Sequence, residues 1–304
     1  MGAPAGAGTI SIMIRFHHDT IAMTMPLQKM RVGDIDIEYQ VSDYTDPWAD
    51  SEPETILFHH GYCRNMDFWR GWVPGLARHY RVLRFNSRGC GGTTVPPAGA
   101  PYDANQLVGD ALGLMDKLDI ERAHWVGESS GGILGIVAAL THPERLNSLV
   151  LVNTPFKLPG AVMDTYNLGE PDHASAIEKY GVGGWCRQTL GYRLDLKKAP
   201  PAMQEWVIRE MGKVANHVGI AHHLMAAGGD MTKRITEIKM PILIMFGENS
   251  PLSKKEQMNE MKALLPNAKL VMFEGYGHGI NLLVPDRCVA EMEKFLDERA
   301  TLTA

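Results

Sequence analysis

Residues 124–140 read His124-Trp125-Val126-Gly127-Glu128-Ser129-Ser130-Gly131-Gly132-Ile133-Leu134-Gly135-Ile136-Val137-Ala138-Ala139-Leu140. An apolar strand arrives through Trp125 and Val126, and an apolar helix leaves through Ile133, Leu134, Ile136, Val137 and Leu140. Between them Gly127-Glu128-Ser129-Ser130-Gly131 fits G-x-S-x-G, a pattern in which a sharp strand-to-helix turn lifts a serine hydroxyl above a sheet. The helix N-terminus beside it carries free N–H groups and partial positive charge, which suits an oxyanion. A glycine-rich turn without chemistry would share the five residues, but the strand–turn–helix setting favours a nucleophile at Ser129.

Working outward from this turn, further apolar runs occupy residues 55–59, 81–86, 148–153, 242–247 and 269–273. Near-continuous apolar runs are the pattern of strands buried on both faces of a parallel sheet. Residues 31–41 instead alternate, with Ile35, Ile37, Tyr39 and Val41 apolar, which predicts half-buried antiparallel strands. Helical periodicity falls between the runs, at residues 66–78, 104–118, 130–141, 254–265 and 287–299. The alternation predicts an α/β fold with a doubly wound, mostly parallel sheet and its site at the carboxyl ends of the strands.

The regular pattern stops after residue 155 and resumes near residue 236. The intervening residues 156–235, with Trp185, Trp206, Tyr166, Tyr180 and Tyr192, are too long for a loop and read as a helical cap. The expected organisation is a loose extension over residues 1–29, a core of residues 30–155 and 236–304, and that cap.

Composition narrows the function. Of 304 residues 45% are hydrophobic and 21% charged, which allows a sizeable core and argues against disorder. The net charge of -5 disfavours nucleic acid as a partner. Cys63, Cys90, Cys186 and Cys288 are scattered, without a C-x-x-C pair, so they read as reduced thiols of a cytoplasmic protein. No apolar run reaches the roughly 20 residues of a membrane span, and the N-terminus is a poor signal peptide. The adjacent pairs His17-His18 and His222-His223 would face apart on a helix, so no metal site is assigned. Residues 89–92 lack the spacing of a dinucleotide fingerprint, so no cofactor is expected. A small-molecule substrate is the expected partner, with a homo-oligomer left open.

A nucleophilic serine needs a base, a group to orient the base, and oxyanion donors. Of 12 histidines, only His278 follows the last apolar strand between two glycines, where it could reach Ser129. The backbone N–H groups of Ser130 and of Tyr62, just after His60-Gly61, are the expected oxyanion donors.

The His60-Gly61 turn, the Ser87-Arg88-Gly89-x-Gly91 loop, the Gly127–Gly131 elbow and Gly277-His278, in this order, resemble the α/β-hydrolase superfamily over roughly residues 30–300. Within it the chain is most similar to small bacterial carboxylesterases, lactonases and carbon–carbon hydrolases. The resemblance implies a serine hydrolase cleaving an ester or lactone of a small, apolar or aromatic substrate through an acyl-enzyme. The alternatives are a carbon–carbon bond hydrolase acting on a β-diketone or vinylogous ketone, and a non-catalytic binding protein. A serine nucleophile disfavours haloalkane dehalogenase and epoxide hydrolase, which attack with aspartate.

The chain departs from the family at the orienting acid. Ser250 stands three residues past Gly247, where the usual acid sits, and Asn153 stands at the alternative position after the sixth strand. Glu248 is the nearest carboxylate and the expected third member, with Asn153 second. Glu128 is set aside, because this residue points away from the nucleophile in most such elbows. Trp185 and Trp206 are the candidate substrate-binding residues of the cap.

Overall fold

The alternating segment folds as a hairpin, β1 (Gln28–Val32) and β2 (Ile35–Ser42), closed at Gly33 with φ 53°. Strand β1 begins inside the extension expected over residues 1–29. The computed structural model describes residues 27–155, 164–227 and 234–303, so residues 1–26 of that extension lie outside the described residues.

The apolar runs become β3 (Thr55–His59), β4 (Arg81–Phe85), β5 (Ala123–Glu128), β6 (Leu146–Val152), β7 (Ile242–Gly247) and β8 (Ala268–Phe273). One sheet has the order β1-β2-β4-β3-β5-β6-β7-β8. The pairs β1/β2 and β2/β4 are antiparallel and the others parallel. The order reverses around β3, and β5, which carries Ser129 at its end, lies next to it.

Successive side chains point to opposite faces. Leu57, Trp125, Leu149, Leu151 and Ile244 fill the core on one face, and Ile56, Phe58, Val126, Val150 and Leu243 fill the other. Each such large side chain contributes about 1.5–3 kcal/mol by leaving water.

Helices α1 (Ala104–Lys117), α2 (Ser130–Thr141), α3 (His173–Thr189), α4 (Pro201–Met211), α5 (Asn216–Ala227), α6 (Lys255–Leu264) and α7 (Pro285–Thr303) complete the layers. Helix α2 is buried from Ser130 to Ala139, which explains its apolar sequence on every side. Residues 66–78 do not form the one helix that their pattern predicts. A 3-10 turn spans Met66–Trp69 and a short helix spans Val73–Leu76. Pro74 lacks an N–H and sits at the start of the second piece, which breaks the run.

Between β6 and β7 the described residues contain helices α3, α4 and α5 and no strand. A third core joins them to the sheet's carboxyl edge through Tyr62, Phe68, Trp185, Val207 and Val218. No described helix is long and apolar enough to cross a membrane.

Candidate active site

Ser129 has φ 52° and ψ -118°, a left-handed backbone that non-glycine residues rarely adopt. Its N–H donates to the Val152 carbonyl at 3.0 Å, and its own carbonyl accepts from Gly132 at 3.0 Å and Ile133 at 3.2 Å. The turn also needs Gly131, where a Cβ would come 2.4 Å from the His59 carbonyl oxygen. The β3 loop is therefore pressed against the start of α2.

That loop is pinned from below. The His60 ring lies 2.9 Å from the Gly61 carbonyl through Nδ1 and accepts from the Ser87 amide at 3.0 Å through Nε2. His59 meets the Ser87 hydroxyl at 2.9 Å. Tyr62 and Ser130, the expected oxyanion pair, line one pocket with Ser129. The pocket is also walled by Tyr166, Trp185 and Leu252. Of the two tryptophans singled out, Trp185 lines this pocket. Trp206 does not: it packs on Phe68 with ring centroids 4.6 Å apart and faces a separate cleft with Arg70 and Met203.

His278 is fully buried at the end of the β8 loop. The loop is gripped by the helical insertion: Asp195 accepts from the Gly277 amide at 2.9 Å and donates its own amide to the His278 carbonyl at 3.0 Å. The His278 Nδ1 lies 3.0 Å from the Ser250 hydroxyl. Ser253 donates to Ser250 Oγ twice, from its hydroxyl at 2.8 Å and its amide at 3.2 Å. A neutral serine thus holds the position of the family's acid.

The expected orienter Glu248 is elsewhere. Its carboxylate accepts from the Gly275 amide at 2.9 Å, capping the β8 turn. Its longer side chain bonds the nearest free amide rather than crossing to the imidazole. Asn153 does not orient the ring either: its buried side-chain amide makes no hydrogen bond among the described residues. The carboxylate that reaches His278 is Glu128, against the expectation that it points away. Its Oε1 lies 3.2 Å from Nε2 and its Oε2 lies 3.1 Å from Arg64 Nη1. Neither approach is aligned as a hydrogen bond; the Arg64 contact is an ion pair, and the His278 contact becomes one when the ring is protonated. Gly61 makes room for this side chain, since a Cβ there would fall 2.1 Å from Glu128 Oε2.

The charges follow from burial and neighbours. Burial pushes the Glu128 carboxyl up, but the Arg64 cation and the His278 contact outweigh it, so it titrates below its ordinary 4.5 and stays ionised. Burial holds His278 below its ordinary 6.5 against the pull of Glu128. At neutral pH the cluster is therefore an Arg64 cation, a Glu128 anion and a neutral imidazole, the form a general base needs. The Ser129 hydroxyl makes no hydrogen bond among the described residues; such bonds commonly tighten only in the substrate complex.

The insertion supplies more than walls. His222 meets the Ser130 hydroxyl at 2.9 Å, and His223 stacks on His173 at 3.7 Å. Although adjacent on α5, both rings contact Tyr62. The described residues contain no group of three potential ligands that could hold a metal. All four cysteines are buried and free.

A sequence profile of the alpha/beta hydrolase fold matches residues 54–177. RutD of Caulobacter segnis, a candidate carbamate hydrolase, is 25% identical over 88% of this chain and 99% of its own length. The pimeloyl-[acyl-carrier protein] methyl ester esterase of Aliivibrio fischeri is 22% identical over 83% of this chain and 97% of its own. The crystal structure of the enol-lactonase from Burkholderia xenovorans LB400 superposes with a TM-score of 0.78 at 23% identity, covering 89% of this chain and all of that one. With the sheet order and the elbow, these likenesses show that the chain has the alpha/beta hydrolase fold.

Proposed function

We propose that this hydrolase cleaves a carboxylic ester or lactone through an acyl-enzyme on Ser129. The observation that carries the reading is the left-handed backbone of Ser129 at a pocket wall, with the buried His278 held 3.2 Å from the carboxylate of the adjoining Glu128. Ser129 Oγ attacks the carbonyl carbon and passes its proton to His278 Nε2. Glu128 offsets the charge that appears on the imidazolium, and Ser250 holds the other nitrogen. The oxyanion is received by the backbone N–H groups of Tyr62 and Ser130. His278 then protonates the leaving alcohol and activates water for deacylation. The aromatic and apolar walls suit a small acyl group.

The neutral Ser250 in the acid's position, with no Ser129–His278 hydrogen bond, favours a second reading: a binding protein that has lost turnover. Hydrolysis of nitrophenyl esters and lactones separates the two. Ser129→Ala and His278→Ala should each lower kcat by about three orders of magnitude or more, and a fluorophosphonate should label Ser129. Retention of near-parental rates in Ser129→Ala would refute the nucleophile. An inert parent that still binds ester ligands would establish the second reading.

A further inference from the structure

Two arginines are buried beside the pocket, and only one has a counter-charge. Arg64, 2% exposed, faces Glu128 and donates Nη2 to the Arg193 carbonyl at 2.9 Å. Arg193, 4% exposed, follows the 3-10 turn Leu190–Tyr192 and lines the pocket with Ser129. Its guanidinium carbon lies 4.2 Å over the Trp185 ring centroid and 5.4 Å from that of Tyr166. Its Nη2 donates to Thr189 Oγ1. Among the described residues, its Nε and Nη1 have no hydrogen-bond partner and no carboxylate forms an ion pair with it.

Guanidinium stays charged in proteins, and a buried charge without an opposite one is costly. The aromatic faces and Thr189 satisfy part of the group and hold it in one orientation. They leave N–H donors at a pocket whose other polar walls, Tyr62, Ser129, Ser130, Tyr166 and His223, are hydroxyls and an imidazole. Burial and Arg193 itself hold the His223 imidazole at about 4, so at neutral pH it brings no charge of its own.

We infer that Arg193 is a specificity-determining residue that binds a carboxylate on the substrate, so that the ester or lactone cleaved at Ser129 belongs to a carboxylic acid derivative with a second, ionised carboxyl group. This rests on the reading of the Ser129 pocket as the substrate site. A carboxylate supplies the missing charge and accepts from the open N–H groups, and a charged hydrogen bond is the stronger kind. A substrate with no anion would leave Arg193 buried and uncompensated in the complex, and would be rejected for it.

The test uses the monoethyl esters of succinate, glutarate and adipate against the matching diethyl esters. Titration calorimetry on Ser129→Ala protein reads binding without turnover. The half-esters should bind on the order of 10- to 100-fold more tightly than the diesters. Arg193→Gln, combined with Ser129→Ala, should bring the two series within about threefold, and Arg193→Lys should retain part of the preference. Diesters that bind as well as half-esters to Ser129→Ala would overturn the inference without any Arg193 variant, as would failure of both series to bind. A preference that survives Arg193→Gln would overturn it too. If the parent cleaves none of these esters while Ser129→Ala keeps an Arg193-dependent preference, the carboxylate site stands and the hydrolytic reading falls. If the parent cleaves both series with equal kcat/KM, the reverse holds.

Discussion

Glu128→Gln separates the electrostatic work of the site from its packing. The substitution keeps the volume and removes one negative charge that faces two partners, His278 Nε2 at 3.2 Å and Arg64 Nη1 at 3.1 Å. At an effective dielectric of about 20, a full charge pair at this separation is worth about 5 kcal/mol. Arg64 approaches the same carboxylate and cancels part of what the imidazolium would feel, so we take about half. A loss of about 2.5–3 kcal/mol in the transition state is a fall in kcat of about two orders of magnitude. KM should change little, because the charge on His278 exists only during reaction. Stability should fall as well. Removing one partner of a buried ion pair costs about 3–5 kcal/mol, since it strands the other charge. That corresponds to a fall in Tm on the order of 5–10 °C. The double variant Arg64→Met/Glu128→Gln removes the stranded cation, so it should recover most of the Tm and none of the kcat. Steady-state kinetics on an ester with parallel thermal melts reads all three proteins. A Glu128→Gln enzyme within about threefold of the parental kcat would refute the role of Glu128 as the charge partner of His278. Recovery of kcat in the double variant would show that the loss was only structural.

Two further outcomes follow from the same geometry. Ser250→Asp places a carboxylate where Ser253 already offers an N–H and an O–H, 2.8–3.2 Å from the present oxygen. It should raise kcat on the order of tenfold and move the acid limb of the pH–rate profile upward by raising the His278 pKa; a fall in kcat would show that the neutral partner is required. Acid should unfold the protein early. Burial holds His60 and His223 at about 4 and His173 and His222 at about 3, and it holds His59 and His278 below the ordinary 6.5. Between those values and about 6.5 the unfolded chain binds more protons than the folded one, so stability falls as pH falls through that window, by up to about 1.4 kcal/mol per pH unit for each such histidine. Urea midpoints measured from pH 7.5 to 4.5 should drop steeply below 6.5, and a flat series would show that these rings are not held neutral.

The parts of the fold legible from sequence are those set by local chemistry. Two-residue alternation marked β2, unbroken apolar runs marked β3 to β8, and glycines around Ser129 marked the elbow, because each depends on residues within one turn or strand. His278 was legible for the same reason, a lone histidine between glycines after the last strand. Proline chemistry was also local, yet residues 66–78 still read as one helix, because the apolar spacing of Met66, Trp69 and Leu76 continues across Pro74.

The partners of His278 could only be decided in three dimensions. Glu128, Ser250, Arg64 and Asp195 come from β5, the β7 loop, the β3 loop and the helical insertion, and the strand order β3-β5-β6-β7-β8 brings these loops to one edge. Charge alone pointed to Glu248, but a side chain takes the partner nearest in space, and for Glu248 that is the Gly275 amide. The direction of Glu128 depends on the absence of a Cβ at Gly61, sixty-seven residues earlier, and on the Arg64 cation beside it. Whether Trp185 or Trp206 faced the pocket was likewise a matter of how α3 and α4 pack, since both tryptophans have the same composition signal and only Trp185 stands against Tyr62 and Arg193.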